Sequence, residues 1–160
     1  MNLTTNFTVE EFTASATATR LKIDNTIPEH LMAQALATAQ MMERIRTLLS
    51  TSLGRAVPIS VSSGYRCPAL DLAVRGRPKT GDHSRMLAVD FRANAFGSPY
   101  LIAKALAPHI SILGIGQLIY EAPTGTAEWV HVSSRVPQHA VDRVITISPL
   151  GVAMGIQPLG

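Results

Sequence analysis

The sequence predicts an α+β fold, an antiparallel sheet with helices from the N-terminal half packed against it. Three observations lead there: the longest helical period lies early, between Pro28 and Leu49; strand-like segments cluster late, from Gly116 onward; and the two do not alternate as a parallel βαβ arrangement requires. A chain of 160 residues suits one domain, residues 1–160, burying roughly two thirds of its unfolded surface. Its 46% hydrophobic and 16% charged residues and mean hydropathy of +0.19 are those of an ordered globular protein.

Taken in order, Thr8 and Glu11 have the spacing of a capping box, so a short helix begins there. From Pro28 to about Leu49 the apolar residues Leu31, Ala35, Leu36, Ala39, Met42, Ile45, Leu48 and Leu49 recur three and four apart, Met41 joins them as core, and Gly54 is the stop. Val57 to Ser62 alternates apolar and polar residues, predicting a strand with Ile59 and Val61 toward the core. Pro68 opens a short helix to about Val74, ended by Gly76. Arg75 to Asp82, rich in glycine and charge, reads as an exposed loop. Leu87 to Phe91 is a second strand, and Ser98-Pro99 caps a helix that stops at Pro108. Gly116–Glu121, Trp129–Ser133 and Arg143–Ile147 are the remaining predicted strands, with a turn at Pro123-Thr124-Gly125; the tail from Pro149 is expected to run over the surface.

The single cysteine, Cys67, excludes an intrachain disulfide. A formal charge of +3 is a mild attraction to anionic polymers, but the arginines are scattered and no basic run is interleaved with aromatics, so nucleic acid is not an expected partner. No stretch is long and apolar enough to insert in a membrane, and the N-terminus has neither the basic nor the apolar part of a secretory signal. A monomer is expected.

Five histidines are present. His30, His109 and His139 lie at helix ends or in a polar loop and read as structural. His83 and His131 differ. Asp90 interrupts an apolar strand, where a carboxylate is costly unless paired or bound to a metal; period-two geometry puts Ala88 and Asp90 on one face and Leu87, Val89 and Phe91 on the other. His131 likewise shares a face with Trp129 and Ser133, opposite Val130 and Val132. His83, Asp90 and His131 therefore match the three-ligand set of catalytic zinc sites, which leave one position open. Glu128, near the entrance of the last of these strands, is the expected base for the attacking water, with Asp82 or Glu121 next in line. Residues three apart on a regular strand point to opposite faces, so Glu128 needs a bulge or a place outside the ladder to reach the ligands. Cys67 before a proline and the lack of a Gly-x-Ser-x-Gly elbow disfavour covalent catalysis.

The set Ser63-Gly64-Tyr65-Arg66-Cys67-Pro68, then His83 with Asp90-Phe91, then Glu128-Trp129-Val130-His131-Val132-Ser133 resembles the zinc D-Ala-D-Ala peptidase family, over roughly Phe7 to Ile147. The likeness is to the small carboxypeptidases and endopeptidases that bacteriophages carry, with a fold of the hedgehog and D-Ala-D-Ala peptidase type. The resemblance implies zinc held by His83, Asp90 and His131, Glu128 as base, and Arg66 binding substrate or the developing oxyanion, for which a planar guanidinium is suited. Tyr65 would either line the cleft or pack beneath it, and Trp129 would either face substrate or cover the metal site. Two departures stand out: the family's serine two residues before the first histidine is Gly81, and its glycine three residues after is Met86. The implied function is hydrolysis of a stem or cross-link peptide bond of peptidoglycan by a phage lysin that accumulates in the host cytoplasm or travels with the virion. A cytoplasmic D-Ala-D-Ala dipeptidase and a non-catalytic zinc-containing wall-binding module are the alternatives.

Overall fold

The computed structural model describes residues 1–76 and 81–160. Among the described residues six α-helices, α1 (Val9–Thr13), α2 (Ala16–Leu21), α3 (Met32–Leu53), α4 (Pro68–Arg75), α5 (Pro99–Leu106) and α6 (Ile110–Leu113), accompany six strands, β1 (Ser60–Ser63), β2 (Ala88–Arg92), β3 (Gln117–Glu121), β4 (Trp129–Ser133), β5 (Val144–Ser148) and β6 (Gly151–Met154). The strands form one sheet in the order β1-β2-β4-β3-β5-β6. All pairs are antiparallel except β3 with β5. The α+β expectation holds, with one parallel pair within the sheet.

That pair arises because the chain leaving β4 passes the start of β3 before entering β5. A Cβ on Gly116 would stand 2.3 Å from the Arg135 carbonyl group, so only glycine allows the two backbones to cross there.

The capping box closes on both sides, the Thr8 hydroxyl accepting from the Glu11 amide and the Glu11 carboxylate from the Thr8 amide. Helix α3 starts at Met32 and runs on to Leu53, where Gly54 adopts the left-handed conformation of a C-cap. Ala35, Ala39, Met41, Met42, Ile45 and Leu49 are buried, whereas Leu36, expected in the same stripe, is exposed. Helix α2 was not expected from the sequence: its Ser15 cap precedes a segment whose only buried residue is Ala18, too weak an apolar signal to register. Strand β6 lies in the segment from Pro149 expected as surface tail. All its residues are exposed, so backbone pairing alone makes it a strand and no alternation announces it. The expected loop from Arg75 to Asp82 falls largely on residues 77–80, outside the described residues; Arg75 itself closes α4, and Asp82 is buried rather than exposed. Among the described residues no helix is long and apolar enough to cross a membrane.

One face of the sheet carries Val89, Phe91, Leu118, Tyr120, Val130 and Val132 into the core formed with the helices. The other bears the polar residues considered below. Met86 joins the core although its φ is +57°, a conformation that favours glycine. Its carbonyl accepts from the buried Thr38 hydroxyl at 2.6 Å, tying the turn before β2 to α3. Removing a buried methionine side chain costs about 2–5 kcal/mol, more than the roughly 1–2 kcal/mol of left-handed strain that glycine would relieve. Met86→Gly is therefore expected to lower stability, read as a lower urea midpoint; an unchanged or higher midpoint would mean that strain outweighs packing here.

Candidate metal centre and active-site cleft

Asp90 lies opposite His131 in the β2–β4 ladder, so the two side chains leave the sheet together on the face away from the core. His131 Nδ1 is 2.7 Å from Asp90 Oδ1. His83 arrives from a short 3₁₀ turn, His83–Arg85, with Nε2 3.4 Å from the same oxygen. Its Nδ1–H donates to the Gly64 carbonyl at 2.7 Å, which fixes the tautomer and leaves Nε2 as a free donor atom for a metal. One ligand atom from each of the three residues falls within a 4.8 Å set, and all three residues are buried. Two imidazoles and a carboxylate converging in this way are a donor set that fits zinc.

Gly64 earns its place in the motif twice. A Cβ there would meet the Phe12 carbonyl oxygen at 2.6 Å, so the close approach of α1 requires glycine, and its own carbonyl orients His83. Next to it, Tyr65 is 5% exposed and packs in the core, so of its two possible roles it takes the structural one.

Arg66 reaches back over Asp90. Its Nη2 donates to Asp90 Oδ2 at 3.1 Å and its Nε to Ser63 Oγ at 2.9 Å, while it still lines the cleft. Burial alone would raise the Asp90 pKa, but the charges and hydrogen bonds of His83 and His131 outweigh it and hold the carboxyl far below its ordinary range. For His131 burial works downward and loses to the hydrogen bond and charge of Asp90, leaving the pKa raised.

Glu128 is not brought to this group. Trp129 pairs with Glu121, so the residue before it points through the sheet to the helix side. There the Glu128 carboxylate accepts a hydrogen bond from the Tyr120 hydroxyl, and its backbone carbonyl accepts from Arg92 Nε at 2.7 Å. No bulge turns it back. The expected base is thus not among the residues gathered around the three candidate ligands. The carboxylate found there is Glu121, with Oε1 3.9 Å from His131 Nδ1. Its pKa is raised, chiefly by burial and further by the Asp90 charge, against the pull of His131, Arg66 and Arg75. Asp82, the other reserve, accepts from Ser133 Oγ at 2.9 Å, Arg135 Nε at 2.7 Å and Arg85 Nη2 at 3.0 Å, so its lone pairs are already taken.

Two adjoining recesses of roughly 590 and 440 Å³ open on the centre. Arg75, His83, Glu121 and His131 line both, so together they form one cleft running across the three candidate ligands. Trp129 forms part of the wall on the Arg66 side. His30, His109 and His139 are exposed and apart from the cleft.

With that geometry in place, the family comparison decides the kinship. A family model described as Peptidase M15 matches residues 5–133. The chain belongs to the Peptidase M15 family. The match spans α1 to β4 and so contains every residue of the centre, while β5 and β6 lie beyond it. Membership of this zinc D-Ala-D-Ala peptidase family assigns a peptide as the substrate class. No curated protein matches the chain.

Two outcomes follow from the donor set. His83→Ala and His131→Ala are expected to lose stoichiometric zinc while keeping the far-UV circular dichroism of the parent, whereas His30→Ala and His139→Ala keep it; elemental analysis showing full zinc in either of the first two would remove that residue from the set. Arg66→Lys is expected to weaken zinc by roughly ten- to a hundredfold, because an ammonium cannot span Ser63 and Asp90 as the planar guanidinium does. A chelator-competition titration with unchanged affinity would limit Arg66 to the substrate.

Proposed function

We propose that this protein is a zinc metallopeptidase that hydrolyses a peptide bond of bacterial peptidoglycan, as a carboxypeptidase or endopeptidase on the stem or cross-link peptide, in the manner of a phage lysin. The observation that supports it most is the meeting of His83, Asp90 and His131 with a fourth, uncommitted carboxylate, Glu121, in one open cleft. A site serving only to hold a structural metal needs no such group, which favours catalysis over a wall-binding module.

In this reading His83 Nε2, Asp90 Oδ1 and His131 Nδ1 would hold the ion. Bound there, zinc supplies Lewis acidity, polarising the scissile carbonyl and acidifying water. Glu121, on the same face as His131, takes the proton from the attacking water and returns it to the leaving amine. Arg66 keeps the Asp90 carboxylate in place through Oδ2 and presents the remainder of its guanidinium to the cleft, where it can stabilise negative charge developing on the carbonyl oxygen. The indole of Trp129 walls the substrate side of the same recess.

Glu121→Gln separates base from ligand. It is expected to retain zinc and lower muropeptide hydrolysis by roughly two to four orders of magnitude, as removal of a general base does. Glu128→Gln is expected to retain both zinc and most activity, with mass spectrometry of the digested muropeptides identifying the bond. Full activity in Glu121→Gln combined with loss in Glu128→Gln would return the base to Glu128. Wild-type protein that clears no permeabilised cell wall in the presence of zinc would count against the peptidase reading itself.

A further inference from the structure

Helix α4 ends beside the cleft, and two of its residues, one turn apart, have no role in the centre described so far. Asp71 is 1% exposed. Its Oδ1 lies 3.0 Å from Arg75 Nε and 3.7 Å from Arg66 Nη1, ion-pair distances, yet neither carboxylate oxygen is aligned for a hydrogen bond among the described residues. A carboxylate buried so deeply and served so poorly is costly to the fold. What it does is hold two guanidiniums at once.

The second of these, Arg75, is set over Gly81. A Cβ on Gly81 would stand 3.3 Å from Arg75 Nη2, 3.7 Å from Cζ and 3.8 Å from Nη1, so the space a side chain at 81 would contest is taken by the guanidinium. This is the position at which the chain lacks the serine expected from its motif. Arg75 lines both recesses with His83, Glu121 and His131, and its side chain remains 32% exposed. With Nε turned to Asp71, both Nη groups stay available to the cleft: among the described residues neither makes a hydrogen bond.

We infer that Arg75, anchored by Asp71 and seated over Gly81, is a specificity-determining residue that binds a carboxylate of the peptide substrate next to the scissile bond. The guanidinium fork matches a carboxylate in bidentate geometry. The carboxylate comes from the free C-terminus of the peptide or from an acidic side chain. This inference rests on the peptidase reading for the identity of the ligand, though not for the geometry.

The test is equilibrium binding to the zinc-loaded protein, followed by fluorescence of Trp129, the single tryptophan, which walls the same cleft. The probes are isosteres of D-alanyl-D-alanine with a ketomethylene link in place of the amide: the C-terminal acid, its amide, and an amide carrying a glutamyl side chain. One acid form is expected to bind wild type at least about tenfold tighter than the plain amide, a preference of the size of one charge-assisted bidentate contact. Which acid is preferred identifies the source of the carboxylate. Arg75→Ala is expected to bring that ratio within about twofold without changing affinity for the amide. Gly81→Leu, which crowds the guanidinium while leaving Arg75 in the chain, is expected to do the same. No acid preference in wild type, or an undiminished preference in Arg75→Ala, would overturn the inference. An acid preference that Arg75→Ala abolishes, in a protein that hydrolyses no muropeptide, would uphold the Arg75 site and strike the peptidase reading alone.

Discussion

The carboxylate of Asp90 is the constraint to which the other site residues answer. It leaves the middle of β2 between two paired strands, and an ionised group there is tolerable only when its oxygens are met by charge and hydrogen bonds. His131 comes to it from the neighbouring strand, His83 from the turn before β2, and Arg66 from the segment after β1. His83 is held in turn by Gly64, which is pressed against Phe12 of α1. Helix α1, the end of β1 and two further strands are thus tied to one oxygen pair. Loss of one partner from a buried ionic group typically costs about 3–5 kcal/mol, so the candidate ligand set is also part of what keeps these segments together.

The sheet divides chemistry from packing by parity. On β3, Leu118 and Tyr120 enter the core, while Gln117, Ile119 and Glu121 line the cleft; on β4, Val130 and Val132 oppose Trp129, His131 and Ser133. A shift of one residue exchanges the two roles. That is the physical reason Glu128 serves the helix side, as acceptor for the Tyr120 hydroxyl, while a glutamate on the adjacent strand stands near His131. Proximity in sequence to a ligand carries less information about a strand residue than its register with the next strand.

This difference marks what could be read from the sequence. The capping box at Thr8, the long apolar stripe of α3, the proline-started helices at Pro68 and Pro99 and the polar faces of β2 and β4 are local signals, and each appears where expected. Asp90 and His131 were legible because a polar side chain in an apolar strand is conspicuous, and His83 because it stands at the end of a polar loop seven residues before Asp90. Glu121 was legible only as a reserve to Glu128, because a glutamate at the end of a strand is ordinary until its partner is known to be Trp129. Gly64 and Gly116 depend on approaches by Phe12 and Arg135, about fifty and twenty residues away, which no local pattern encodes. Strand β6 buries no side chain, so it has no periodicity to detect.

The arginines around the cleft share one construction. Arg66 is tied to Asp90 and Asp71, Arg75 to Asp71, and Arg85 and Arg135 to Asp82, and all three acids are buried. An arginine free on a surface must lose side-chain freedom when it binds an anion, at a cost of about 0.5–1.5 kcal/mol for each ordered side chain. Fixing the guanidinium on a buried carboxylate moves that ordering into the folding reaction, so donors still facing the cleft meet their ligand already in position. The same carboxylate withdraws part of the positive charge, and the balance differs from one arginine to the next. Asp82 accepts from Arg85, Arg135 and Ser133 in good geometry and leaves little unanswered. Among the described residues Asp71 has no aligned hydrogen bond and serves two guanidiniums, so the α4 side of the cleft combines firm placement with residual positive charge. That pairing of rigidity with incomplete neutralisation is what anion recognition in a partly desolvated cleft requires.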